Sequence, residues 1–149
     1  MCAKKQIPKK HKYNASKVVV DDINFDSKFE AFCYNLLKTQ KFNFSTQPEF
    51  IIQPKFKDHE KTILPIKYKA DFLIKTNNYE YILDSKGFVT PEFKLKKKLL
   101  LYQGHRIICV YSQIDMYNFI EALKQNIEPY DAEKHVLTEK KNRKKTKTK

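Results

Sequence analysis

From residue 27 to 40 the apolar positions Phe29, Phe32, Cys33, Leu36 and Leu37 recur at i, i+3, i+4, i+7 and i+8, the spacing of a helix that buries one stripe. Ahead of it, Val18-Val19-Val20 and Ile23-Asn24-Phe25 flank Asp21-Asp22 and predict a small hairpin or an extended lead-in. Strand-like sequence covers 43–53, interrupted by Pro48 and closed by Pro54, and 55–61 reads as a polar loop. Further strands are expected at 63–75 and 79–86. Thr90-Pro91-Glu92 supplies the cap, the first-position proline and the first-turn acid of a helix start. That helix should run to about 103, end near Gly104 and bury Leu95, Leu99 and Tyr102. Residues 106–111 read as a buried strand, and 114–127 as a third helix with Tyr117, Ile120, Leu123 and Ile127 as its stripe. The order helix, three strands, helix, strand, helix predicts an α/β protein with a mixed sheet flanked by helices. A chain of 149 residues suits one such domain.

Two of these strands carry charge inside apolar runs. Lys69-Ala70-Asp71-Phe72-Leu73-Ile74 and Tyr81-Ile82-Leu83-Asp84-Ser85-Lys86-Gly87 each hold one carboxylate, and period-2 alternation puts Asp84 and Lys86 on one face. Asn77-Asn78 can form a two-residue type I′ turn, because asparagine tolerates positive φ. Paired residues then have numbers summing to 155, which sets Asp71 opposite Asp84 and Lys75 opposite Glu80. Opposed side chains have Cβ atoms roughly 5 Å apart, close enough for two carboxylates to share one ion. Two carboxylates and a lysine at one spot are the parts needed to hold a divalent metal and steer a water at a phosphodiester. A solvated aspartate on each of two strands would leave the same pattern.

The formal charge of +13 is unevenly placed. Residues 1–17 and 138–149 carry +6 each, so 18–137 holds only +1. The chain therefore divides into a basic N-terminal arm at 1–17, a domain at 18–130 and a basic C-terminal tail at 131–149, expected to be disordered. Such arms bind a polyanion by counterion release without reading its sequence, or serve only to keep the protein soluble. Only Arg106 and Arg143 among the 30 cationic residues are arginine. Bidentate guanine readout is nearly absent, and DNA contact mainly through the backbone is expected. The skew to Lys, Asn, Ile, Phe and Tyr also fits an AT-rich coding sequence. Cys2, Cys33 and Cys109 form neither a zinc motif nor a disulfide framework, which suits a reducing cytoplasm. No apolar run reaches transmembrane length, and the first residues lack a signal-peptide core. With only Gly87 and Gly104 there is no glycine-rich phosphate loop, and no small-molecule cofactor is expected. The 11 Phe and 9 Tyr sit mostly at core spacing, so no base-stacking platform is expected.

Four segments carry a resemblance to a known superfamily. They are Phe25-Asp26-Ser27-Lys28-Phe29-Glu30, Gln47-Pro48-Glu49-Phe50, Ala70-Asp71-Phe72 and Asp84-Ser85-Lys86-Gly87-Phe88-Val89-Thr90. In that order, over about 12–112, the chain resembles the PD-(D/E)XK nuclease superfamily. Within it the chain looks like small phage-encoded endonucleases, similar to Holliday-junction resolvases and transposase-associated endonucleases. Ala70 stands in the place of the proline, and Asp84 takes the D/E position. The resemblance implies a restriction-endonuclease-like αβββαβ core. It implies that Asp71, Asp84, the Ser85 main-chain carbonyl and Glu30 hold Mg²⁺ or Mn²⁺, and that Glu30, Asp71, Asp84 and Lys86 are catalytic. Lys86 would orient or help deprotonate the attacking water. Hard oxygen donors fit Mg²⁺ better than zinc. Ser27-Lys28-Phe29-Glu30 also matches a capping box in which Glu30 reaches back to the Ser27 amide, and both roles can coexist if the helix start lies over the site.

Gln47, at a strand end, is a candidate substrate contact or a solvated loop residue. Lys94, Lys97 and Lys98 follow the metal motif on the second helix and could grip phosphates or form a solvated face. The expected function is a magnesium-dependent endodeoxyribonuclease acting on branched or otherwise structured DNA in phage recombination or genome processing. A two-fold homodimer would suit cutting both strands of a junction. The alternative is a non-catalytic nucleic-acid-binding protein of similar fold, such as a packaging or ribosomal component. A restriction-type enzyme is disfavoured, since no segment is visible for base readout.

Overall fold

The computed structural model describes residues 16–146, with side chains as far as Leu137. Apart from Ser16 and Lys17, the arm expected at 1–17 lies outside the described residues. The chain opens with a hairpin, β1 (Val18–Val20) and β2 (Ile23–Phe25), turned by Asp21 and Asp22 at φ 51° and 62°. Two consecutive positive φ values are the type I′ geometry that matches strand twist. Helix α1 (Lys28–Thr39) follows, capped by the Ser27 hydroxyl, and buries Cys33 and Leu37 completely.

The central sheet contains β3 (Asn43–Thr46), β8 (Phe72–Lys75), β9 (Glu80–Ser85) and β10 (Ile107–Val110), in the order β10-β9-β8-β3. β3 and β9 pair antiparallel with β8, and β10 pairs parallel with β9. Between β3 and β8 the chain makes β4 (Glu49–Gln53), β5 (Phe56–Asp58), β6 (Lys61–Ile63) and β7 (Ile66–Lys69). β4 pairs with β7 and β5 with β6, an excursion whose outer pair is exposed almost throughout. Three helices complete the fold: α2 (Pro91–Tyr102), α3 (Gln113–Lys124) and α4 (Pro129–Thr146). The order α1-β3-β8-β9-α2-β10 is αβββαβ, an α/β arrangement with helices flanking a mixed sheet.

Alternation along the strands builds two cores. Phe72, Ile74, Tyr81, Leu83, Ile108 and Val110 pack with α1, α3 and the first part of α4. Ile82, Ile107 and Cys109 pack on the other side with Phe93 and Leu100 of α2 and Tyr68 of β7. Fully burying one such side chain contributes about 1.5–3 kcal/mol, so these layers rather than the exposed β5–β6 pair fix the sheet that carries the site. Cys33 and Cys109 are both buried free thiols.

The β8–β9 register is the expected one, with Lys75 opposite Glu80 and Phe72 opposite Leu83. Its turn is different, because neither Asn77 nor Asn78 has positive φ. Thr76 closes the loop instead: its N–H donates to the Tyr79 carbonyl at 2.9 Å and its hydroxyl accepts from the Tyr79 N–H at 3.2 Å. The expected loop at 55–61 is the β5–β6 hairpin, whose turn puts His59 at φ 53°. The expected strand at 63–75 is three strands, broken at Pro65 and at Ala70-Asp71.

Helix faces also differ from expectation. On α2, Leu95, Leu99 and Tyr102 are exposed, and Phe93 and Leu100 turn to the sheet. On α3 the buried stripe is Met116, Phe119, Ile120 and Leu123, while Tyr117 is exposed. In both helices several registers satisfy the spacing rule, and the neighbouring element selects one. The tail expected to be disordered from 131 continues as α4. Ala132 and Val136, four residues apart, are buried against the first core, and Glu133 pairs with Lys97 and Arg106. Two small apolar contacts and one ion-pair anchor hold the start of a helix whose composition alone is that of a solvated segment. Among the described residues no helix is long and apolar enough to cross a membrane.

Candidate active site

Glu30 enters through the first turn of α1. The Ser27 hydroxyl accepts from the Glu30 N–H at 3.0 Å, and Glu30 Oε2 accepts from the Asp26 N–H, also at 3.0 Å. The box is therefore closed on the Asp26 amide, one residue earlier than expected. Glu30 is nonetheless only 5 % exposed, so capping and burial occur together. Burial pushes its carboxyl up to about 7, helped by the negative charges of Asp71, Asp26 and Asp84.

Asp71 stands just before β8, one residue beyond the paired ladder that ends at Phe72 opposite Leu83. Its main-chain carbonyl accepts from the Gln47 N–H at 2.8 Å, and the Ala70 N–H donates to the Pro48 carbonyl at 3.0 Å. Its side chain reaches Ser85, accepting from the main-chain N–H at 2.7 Å and from the hydroxyl at 2.6 Å. Burial raises the Asp71 carboxyl above its ordinary value, and these two hydrogen bonds oppose the rise. The expectation that Asp71 simply faces Asp84 across a ladder is thus replaced by a strand end whose carboxylate is tied to Ser85.

Asp84 lies in β9 on the α2 side of the sheet, 2 % exposed. Lys86 Nζ is 3.1 Å from Asp84 Oδ2, an ion pair whose direction is poor for a hydrogen bond, and that buried oxygen has no other partner among the described residues. Burial pushes Asp84 up to about 6 against the pull of Lys86 and Lys97. Lys86 is held by the Val110 carbonyl, which accepts its N–H at 2.9 Å. Its ammonium lies 4.3 Å from the centroid of the Phe93 ring and 5.8 Å from that of Tyr68. A cation over a ring face is held without spending its N–H donors. The alternation expected of Asp84 and Lys86 therefore places them together.

Glu30 thus feels the charges of Asp71 and Asp84, and both aspartates feel that of Lys86. Among the described residues no three His, Cys, Asp or Glu side chains form a ready metal-binding group. The donor chemistry that fits a metal is narrower: the buried Asp84 oxygen beside Lys86, the Asp71 carboxylate and the adjacent Ser85 main chain. These are hard oxygen donors suited to Mg²⁺ or Mn²⁺, which keep waters in their shell and need few protein ligands.

The expected nucleic-acid contacts separate. Gln47 is half-buried at φ 53° between β3 and β4. Its amide donates to the Asn24 carbonyl at 3.3 Å and accepts from Lys69 Nζ at 3.4 Å. It is a loop residue, as expected, and its main-chain N–H braces the Asp71 strand end. Lys97 is half-buried, 3.4 Å from Glu133 Oε1, and its charge acts on Asp84. Lys94 and Lys98 lie on the exposed side of α2. Arg106 is committed to Glu133 at 3.1 Å and to the Tyr130 ring at 5.0 Å.

Two contributors went unnoticed in the sequence, Tyr68 and Phe93, which flank Lys86; Ser85 was expected to act through its carbonyl, and the structure shows its hydroxyl and amide donating to Asp71. Tyr68 shares the parity of Ala70, which was a usable signal, but Phe93 depends on how α2 rolls onto the sheet.

No curated protein and no solved structure matches the chain. Residues 10–127 match the family described as Protein of unknown function (DUF1064), well over half of the chain, and the protein belongs to that family.

Proposed function

We propose that the protein is a metal-dependent DNA endonuclease of PD-(D/E)XK type, acting on branched or otherwise structured DNA in phage recombination or genome processing. The observation that carries this reading is Asp84: a 2 %-exposed carboxylate whose inner oxygen has only the Lys86 ammonium, 3.1 Å away and poorly directed, beside it, with the raised carboxyls of Glu30 and Asp71 in the same part of the fold. A buried charge is costly unless it is paired or coordinates a metal, and for Asp84 the nearest partner is the single Lys86 ammonium. Asp71, Asp84 and the Ser85 carbonyl would hold Mg²⁺ or Mn²⁺, with Glu30 joining directly or through water. When bound, the ion polarises the scissile phosphate and supplies a water of lowered pKa. Lys86 faces the same spot with N–H donors to orient that water and offset charge developing on phosphate oxygens. In the metal-free protein the Glu30 carboxyl sits near 7, and a bound cation would favour its ionised form, which is the form that can join the metal shell. Lys94 and Lys98 contact the DNA backbone, and a cytoplasmic setting, of a host cell for a phage-encoded protein, follows from this role.

The test is purified protein with Mg²⁺ on linear, flap and four-way-junction DNA, beside an Asp84→Asn variant and an EDTA control. Metal-dependent nicks that vanish in the variant are expected. Binding without any cleavage would favour the non-catalytic alternative.

A further inference from the structure

At Ser85 and Lys86 lies a recess of about 580 Å³, lined also by Ser27, Phe29, Phe88 and Tyr111. Its size falls in the range of sites that enclose a small organic group. Three features define what it would take. Its walls include three aromatic residues, of which Phe88, three residues beyond the end of β9, is 60 % exposed. Its polar residues are hydroxyl-bearing, with Lys86 at its edge and no carboxylate among the lining residues. It shares Ser85 and Lys86 with the site described above, so its occupant lies next to whatever Lys86 holds. A Cβ on Gly87 would meet nothing within 4 Å, which leaves the mouth open on that side.

We infer that this recess receives a single unstacked nucleobase adjacent to the phosphate held at Lys86, so that the preferred DNA carries an unpaired nucleotide at the cleavage position. This rests on the nuclease reading for the location of the phosphate. A flat neutral heterocycle tethered to an anion matches aromatic walls and hydroxyl edges that adjoin Lys86. A duplex base stays within its stack, and only an unpaired one is free to enter at small cost. Stacking on an aromatic side chain contributes about 1–3 kcal/mol per base. Loss of Phe88 should therefore weaken binding of such DNA by roughly 5- to 150-fold. The sequence suggested no stacking platform because Phe88 belongs to the short segment after the metal motif, with no periodicity to mark it as outside the core.

The experiment uses the full chain in EDTA, so that binding is read without cleavage. The probes are two duplexes of equal length, one fully paired and one with a single unpaired 2-aminopurine, compared by affinity and by fluorescence of the probe base. Tighter binding of the second duplex with a change in fluorescence is expected. Phe88→Ala should remove that preference and Phe88→Tyr should restore it. Equal affinity for the two duplexes, or a preference unchanged in Phe88→Ala, overturns the inference. The same duplexes in Mg²⁺ separate the two readings. Cleavage without preference for the unpaired site sinks the recess alone, whereas binding preference without cleavage of either sinks the nuclease and leaves the base-binding recess standing.

Discussion

Replacing Glu30 with glutamine should make the metal-free protein more stable at pH 8 and leave it unchanged at pH 4. Glu30 is 5 % exposed and its carboxyl is raised from 4.5 to about 7. A raised carboxyl means that, between those values, the folded state holds a proton the unfolded state has released. Stability therefore falls as pH rises through that window. At 1.36 kcal/mol per tenfold, the full cost of ionising Glu30 in the fold is about 3 kcal/mol, complete by pH 8 and absent at pH 4. Glutamine occupies the same volume, its amide oxygen can still accept from the Asp26 N–H, and it suits the third position of a capping box. Urea unfolding in EDTA at pH 4, 6 and 8 reads the difference, with the slope on denaturant required to stay constant. The glutamine variant should gain about 3 kcal/mol at pH 8, an intermediate amount at pH 6 and nothing at pH 4. The same stability at both extremes, or a loss at pH 8, would refute the view that Glu30 is a buried acid held against burial and neighbouring charge. The gain should come with reduced cleavage, the trade expected where a fold tolerates an unfavourable group for its chemistry.

Asp84→Asn should abolish Mg²⁺-dependent cleavage while DNA affinity in a filter or gel assay stays equal or tightens, since one negative charge near phosphate is gone. Lys86→Leu leaves the buried Asp84 carboxylate without its nearest cation. It should lower stability at pH 8 by about 3 kcal/mol, with less loss at pH 4 where Asp84 is protonated, and a flat pH response would count against the pair. Deleting 138–149, which carries six Lys and Arg143 against Glu139, should weaken binding across all DNA shapes. Three or four lost phosphate contacts should reduce the slope of log affinity on log salt by about 3, and identical slopes would show the segment makes no such contacts.

Local rules reached the elements and the inner register of the sheet, because each depends on neighbours in sequence. The 155 pairing needed only the hairpin length, so Lys75–Glu80 at 3.3 Å was legible. Period-2 alternation likewise placed Lys86 beside Asp84. What local rules missed depends on distant partners. The rotation of α2 is set by Phe93 meeting the sheet, and Leu95 and Leu99 satisfy the same spacing while lying exposed. The start of α4 is held by Ala132, Val136 and Glu133, three residues among many charges whose value lies entirely in what they touch. Asp71 was identified, but its tie to Ser85 was not, because it forms where the ladder has already ended.

The parallel pairing of β10 with β9 sets the minimum length of a working chain. Cys109 lies beside Asp84, and the Val110 carbonyl fixes the Lys86 amide. A fragment ending before Ile107 would contain all four chemical residues and both halves of the hairpin, yet it would lack the strand that walls in Asp84 and anchors Lys86. During synthesis the motif is complete some twenty residues before the site is. Glu30, Asp71, Asp84 and Lys86 are thus all synthesised before the strand that completes their surroundings, and their geometry is set only as the second half of the sheet closes over the first.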